Sequence, residues 1–130
     1  MGVRFGSQYS TAIVNALPAN ANSTAIFTTP PLCLAADNAQ VYLCWFANII
    51  VGTGTTILQF QVYRGTTVLG MQTGVAIWAL NVVAGSTYIA SGSYIDQPGP
   101  ADLSYTLGAI QSGASAAGTL IDGCLLAFVL

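Results

Sequence analysis

The segment Gln40–Val51, with the sequence QVYLCWFANIIV, is the stretch that decides the fold. Its residues alternate with the period of two that is typical of a β-strand, and both faces of that strand are apolar. One face carries Val41, Leu43, Trp45, Ala47 and Ile49, and the other carries Tyr42, Cys44, Phe46 and Ile50. An antiparallel strand with two apolar faces needs a packing partner that excludes water from each face. The second sheet of a sandwich is one partner, and because 130 residues supply no third layer, the other must come from outside the protomer.

The C-terminal segment Thr119–Leu130 has the same two-faced pattern. Simple alternation places one set of residues on one face of the strand: Leu120, Cys124, Leu126, Phe128 and Leu130. The other face carries Ile121, Leu125, Ala127 and Val129. Left exposed, such faces would form a large apolar patch. We therefore expect these two strands to build a contact between subunits, with Tyr42, Trp45, Phe46, Asp122, Leu126 and Phe128 as its residues. On the first strand, either Trp45 with Leu43 or Tyr42 with Phe46 faces the contact. The alternative is a twisted central strand whose apolar residues are only half-exposed.

The rest of the chain reads as further short strands between turns rich in Pro, Gly and Asn. The other predicted strands are Thr11–Leu17, Ser23–Thr28, Thr55–Arg64, Val75–Val83, Thr87–Ile95 and Leu103–Gln111. Eight strands at this spacing predict a single all-β sandwich or jelly roll over residues 11–130. Residues 1–10 lack clear alternation and are predicted to form an N-terminal arm. Its Arg4, Phe5 and Tyr9 would contact a neighbouring subunit or a capsid surface; a frayed terminus is the alternative.

Charge is scarce in this chain. Charged residues make up 5% of the sequence, against about 25% in an ordinary soluble domain. Two arginines and a net charge of −2 argue against binding to nucleic acid or to an anionic membrane. The apolar runs are shorter than the roughly 20 residues of a spanning helix. Without His, Lys or Glu the usual catalytic sites cannot form, so we expect no enzyme and no cofactor.

Among the few ionisable residues, Asp122 attracts attention because it lies in an apolar strand, where an unpaired charge is costly. Arg64 or Arg4, from the same or a neighbouring chain, would pair with it, or else it lies at a still-exposed strand start. Asp96 and Asp102 flank the turn at Gln97–Pro100, where a calcium site is conceivable, although ordinary turn stabilisation is the simpler expectation.

The three cysteines, Cys33, Cys44 and Cys124, are expected to be reduced and chemically idle. Each lies in an apolar run, and no metal-binding spacing is present. Cys33 is the one expected nearest an edge.

Several of these features resemble C1q/TNF-like jelly rolls. They are the apolar last strand Cys124–Leu130, the aromatic strand around Tyr42, Trp45 and Phe46, and the step Val82–Ser86. The resemblance implies a compact homotrimer, in which strands of the first sheet, including the central and last ones, line a threefold axis.

The segments Tyr63–Thr67 and Gly92–Gly99 also resemble small β-rich proteins encoded among the virion genes of tailed phages. Those proteins decorate or cement capsids as trimers. The resulting prediction is a trimeric decoration protein of a phage-like virion, assembled in the host cytoplasm, with itself and a major capsid protein as partners. The alternatives are a trimeric tip domain that recognises a receptor or glycan, and a subunit of an extracellular filament.

Overall fold

The computed structural model describes residues 4–10, 16–17, 24–29, 31–35, 37–65 and 73–130. Within these ranges no helix is long and apolar enough to cross a membrane. The strands are β1 (Arg4–Ser10), β2 (Ala16–Leu17), β3 (Thr24–Thr28), β4 (Leu32–Leu34), β5 (Val41–Ile50), β6 (Ile57–Gly65), β7 (Thr73–Asn81), β8 (Thr87–Asp96), β9 (Ala101–Ser112) and β10 (Gly118–Val129).

The strands form two antiparallel five-stranded sheets. The first sheet has the order β1-β10-β5-β8, with β2 also paired to β10. The second has the order β3-β9-β6-β7, with β4 also paired to β9. In the first sheet β1 is thus a direct neighbour of β10, and β10 and β5 form the central pair. The predicted all-β sandwich of jelly-roll type is confirmed.

The core lies between the two sheets. Every second side chain of β5 points into it, from Val41 to Ile49, and Trp45 is only 4% exposed. From the second sheet, Leu58, Phe60 and Val62 of β6 are fully buried against it. The rings of Trp45 and Phe60 are 4.6 Å apart between centroids. The inward face of β5 is therefore the one that carries Trp45, and the outward face carries Tyr42 and Phe46.

Two strands in the structure are not among the predicted ones. β4 has only three residues and follows two prolines, so its alternation is too short to recognise. Residues 4–10 of the predicted arm form β1, which pairs with β10 from Arg4 opposite Val129 to Ser10 opposite Gly123. β1 is a strand because β10 provides its hydrogen-bonding partners. Its own sequence lacks the apolar alternation that would have predicted a strand. Of the predicted strand Thr11–Leu17, Ala16–Leu17 is β2, and residues 11–15 lie outside the described part of the chain.

A bulge in β10 changes which residues share a face. The register with β5 shifts between Leu120 and Asp122. As a result Leu120 lies in the core together with Leu125 and Ala127, each at most 1% exposed. The prediction that Leu120 shares a face with Cys124 is wrong, because the extra residue reverses the alternation at that point.

Candidate functional site: an apolar sheet face

The outward side of β5 and β10 carries a continuous set of large apolar and sulphur-containing side chains. They alternate with the core residues of the same strands and are half-buried. We call this surface the apolar face, and its residues are Tyr42, Cys44, Phe46, Cys124, Leu126 and Phe128.

The strand register brings these residues into cross-strand pairs. Tyr42 lies opposite Phe128, Cys44 opposite Leu126, and Phe46 opposite Cys124. The rings of Tyr42 and Phe128 are 6.3 Å apart between centroids and tilted by 34°. Directly opposed pairs of this kind stabilise a sheet and hold their side chains in fixed positions. The apolar face is therefore a pre-formed surface on two central strands.

The neighbouring strand β8 widens the face. On β8, Ile95 lies opposite Tyr42 and Ile89 opposite Asn48, and these isoleucines are 52% and 74% exposed. On β1, the register places Phe5 opposite Phe128 and Tyr9 opposite Cys124. The side chains of Arg4, Phe5 and Tyr9 lie outside the described part of the structure. The β8 isoleucines were not predicted, although the alternation of Ile89, Ser91, Ser93 and Ile95 contains that signal.

The structure brings together four of the six residues predicted for the subunit contact: Tyr42, Phe46, Leu126 and Phe128. Trp45 is a correction. It points into the core with Leu43 and is only 4% exposed, so it belongs to the core and is not part of the apolar face. Of the two alternatives for β5, the structure leaves Tyr42 and Phe46 as the outward set.

Polar groups mark one end of the apolar face. Asp122 is half-buried and lies opposite Asn48. The side-chain oxygen Oδ1 of Asn48 is buried and finds no hydrogen-bond donor among the described residues. A buried acceptor without a donor is costly, so this end of the face favours contact with a donor from elsewhere.

The expected pairing of Arg64 with Asp122 is not found, because Arg64 has another partner. Its guanidinium donates hydrogen bonds of 2.9 and 3.1 Å to the two carboxylate oxygens of Asp96. The hydroxyl of the fully buried Tyr105 donates a third, 2.8 Å long, to Oδ2 of Asp96. Asp96 is thereby occupied in a structural network between β6, β8 and β9, and Asp102 lies apart from it on the exposed surface.

The three cysteines form no disulfide with one another. Cys33 is exposed, whereas Cys44 and Cys124 lie on the apolar face. Burial raises the pKa of both Cys44 and Cys124, and the neighbouring Cys124 raises the pKa of Cys44 further. The neutral thiol, which is the less reactive form, is thus favoured at both positions. The part of the chain that the structure describes contains no cluster of three or more His, Cys, Asp or Glu residues suited to a metal ion.

Comparison with solved structures finds the same fold in viral capsid proteins. The structure of the Gx strain of infectious bursal disease virus matches with a TM-score of 0.58 and 14% identity, covering 98% of this chain and 32% of that chain. The structure of T=1 particles derived from the same virus matches with a TM-score of 0.57 and 12% identity, and covers the same shares of the two chains. The T13 particle of this virus matches with a TM-score of 0.56 and 9% identity, covering 96% of this chain and 31% of that chain.

This chain therefore spans about a third of the length of these capsid chains, and at such identities the similarity establishes the fold. No protein-family model matches the sequence. No curated protein matches it either.

Proposed function

We propose that this protein is a structural component of a virion, a homotrimer that decorates and cements a phage-like capsid. The apolar face is the observation that carries the proposal. It is a broad, preformed apolar surface on the two central strands of one sheet, and it points away from the protomer's own core.

Energetics favour covering this face with other copies of the chain. Complete burial of a large apolar side chain is worth roughly 1.5–3 kcal/mol, and six partly exposed side chains lie together here. The chain also has few charges to keep such a surface solvated. Asn48 and Asp122 at the end of the face supply acceptors for donors of an adjoining copy and would help to fix its register.

The threefold arrangement is the one that the resemblance to C1q/TNF-like jelly rolls implies. In that family strands of the first sheet line the axis, and here the last strand, β10, and the aromatic strand, β5, occupy the centre of one sheet. A virion role draws support from the fold, which this chain shares with capsid proteins of infectious bursal disease virus. A major capsid protein is the proposed second partner, and assembly would take place in the host cytoplasm.

The oligomeric state is the direct test. Multi-angle light scattering at high salt should give about three times the protomer mass of 13.4 kDa. Phe46→Asp places a charge at the centre of the apolar face and should yield folded monomers, since Phe46 points away from the core. Ile77→Asp is the matched control. It places the same charge on β7 of the second sheet, where Ile77 is 58% exposed, and should leave the trimer intact.

A wild-type protein that stays monomeric at micromolar concentration would contradict the proposal. So would a Phe46→Asp variant that still forms trimers. The virion role is tested separately, by labelling native particles with an antibody against the chain. Label around the capsomers supports a decoration protein, whereas label at fibre tips or along filaments contradicts it.

A further inference from the structure

A second surface feature lies at the open edge of the sandwich, between β7 and β8. Each of these strands is the last in its sheet. Between them is a pocket of about 240 Å³, lined by Trp45, Phe60, Trp78, Ala79, Leu80, Ile89, Ala90 and Ser91. The pocket reaches from the exposed edge into the core, because Phe60 and Trp45 at its inner wall are at most 4% exposed.

The pocket walls are aromatic and fixed in position. Trp45 packs against Phe60, and its ring centroid is 5.2 Å from that of Trp78 in an edge-on arrangement. On β8, Gly92 has no side chain, and the indoles of Trp45 and Trp78 occupy the space beside it. A Cβ at that position would lie 2.7 Å from Nε1 of Trp45 and 2.7 Å from Cε2 of Trp78. The absence of a side chain at position 92 thus shapes this part of the site.

One polar group at the pocket is left without a partner. Nε1 of Trp45 is buried, and no described residue accepts its hydrogen bond. A tryptophan N–H is a donor only, and a buried one normally finds an acceptor. Leaving it unpaired is energetically costly, and a ligand with a suitably placed acceptor would remove that cost.

We propose that this pocket binds a small ligand with a compact aromatic or alicyclic body and one acceptor oxygen that takes the hydrogen bond from Nε1 of Trp45. The lining is mostly apolar, and its polar side-chain groups are the indole N–H groups and the Ser91 hydroxyl. This matches the usual make-up of small-molecule sites, in which apolar contacts give affinity and a few polar groups give orientation. The volume lies below the range of about 300–1,000 Å³ typical for drug-sized ligands, so a single ring with a short substituent is the expected size. The inference does not depend on the proposed trimer.

Two probes of similar size test the proposal: acetophenone, which carries a carbonyl oxygen, and cumene, in which a methyl group and a hydrogen atom replace that oxygen. Intrinsic fluorescence suits the measurement because both tryptophans of the chain line the pocket. Both probes should change the emission in a saturable way. In ¹H–¹⁵N spectra, acetophenone should move the Trp45 indole N–H resonance downfield, and cumene should not.

Variants separate the hydrogen bond from the pocket shape. In Trp45→Phe the ratio of acetophenone to cumene affinity should fall about threefold to tenfold. The variant lacks the N–H donor, which only acetophenone can use, whereas its smaller ring affects both probes and the hydration of each probe cancels in the comparison. Gly92→Ala should abolish binding of both probes by displacing the indoles. Gly74→Ala, on edge strand β7, is its control, because the atom nearest to the added methyl is at the flexible end of the Gln61 side chain, which can move aside.

The proposal is overturned if neither probe gives a saturable signal, or if the affinity ratio is unchanged in Trp45→Phe. It is likewise overturned if the indole resonance moves with protein concentration alone, since a second copy would then occupy the pocket. If Gly92→Ala fails to fold, the change in the acetophenone-to-cumene affinity ratio of Trp45→Phe still tests the proposal.

Discussion

At the scale of single residues, the hydrogen bonds of Asp96 show how this protein accommodates a charge in its interior. Asp96 is 4% exposed, yet Nη1 of Arg64 donates to both of its carboxylate oxygens and the hydroxyl of Tyr105 donates to one of them. Removal of one partner from such a group is more costly than the average hydrogen bond. The network connects β8 of the first sheet with β6 and β9 of the second, so it also fixes the position of the two sheets at that end of the sandwich.

Tyr105→Phe should lower the free energy of unfolding by about 2 kcal/mol near neutral pH, because it removes a hydrogen bond to a carboxylate. Burial and the hydrogen bond to Asp96 raise the pKa of Tyr105 well above its ordinary value. The stabilising contribution is therefore fully present below the unfolded pKa of about 10 and is lost as the pH rises above it.

Denaturant unfolding of both proteins between pH 7 and 11 measures this effect. The stability difference between wild type and Tyr105→Phe should be constant up to about pH 10 and shrink above it. A difference that stays constant up to pH 11 would show that the pKa of Tyr105 is not raised.

At the scale of elements, β10 contributes to both the core and the apolar face. It pairs with β1, β2 and β5, and its bulge lets one strand supply the core with Leu120 and Leu125 and the apolar face with Cys124. At Gly123, directly after the bulge, the backbone of β5 approaches so closely that a side chain has no room. A Cβ there would collide with the carbonyl oxygen of Phe46 and lie 2.9 Å from Cε2 of Phe27.

Gly123→Ala is accordingly expected to destabilise the protein by about 1–3 kcal/mol, the usual cost of overpacking, since the obstructing atom belongs to the backbone. Thermal unfolding of the variant measures the loss. Gly74→Ala provides the comparison and should change stability by less than about 1 kcal/mol, because the obstructing atom is at the end of the flexible Gln61 side chain. Equal melting temperatures for Gly123→Ala and wild type would disprove the close approach of β5 and β10.

At the scale of the whole molecule, the sandwich presents two different surfaces. The apolar face on β5 and β10 is broad and suits another protein copy, whereas the pocket at the edge of β7 and β8 is narrow and suits a small molecule. Ile89 contributes to both, because β8 forms the edge of the first sheet and lies next to the pocket.

Thiol labelling of the native assembly should modify Cys33 and leave Cys44 and Cys124 unmodified. Cys33 is exposed on β4, whereas the other two lie on the apolar face and have raised pKa values. In the uncharged variant Phe46→Ser, which should weaken assembly, labelling of Cys44 and Cys124 should increase while that of Cys33 stays the same. Mass spectrometry of labelled peptides distinguishes the three sites. Rapid labelling of Cys44 and Cys124 in the wild type, or a disulfide between them, would contradict burial of this face.

The amino-acid sequence by itself determined the all-β class, most strand positions and the two-faced character of β5 and β10. Those properties follow from local alternation and turn residues, which are visible in any short window. The tertiary structure decided which face is which. It placed Trp45 inside and Tyr42 outside, because the second sheet packs against only one of two equally apolar faces. The bulge at Leu120–Asp122, the pairing of Arg64 with Asp96 and the strand character of residues 4–10 also depended on partners distant in sequence. The pocket beside Gly92 forms where the edge strands β7 and β8 lie next to each other, and the alternation within a single strand does not predict such a contact.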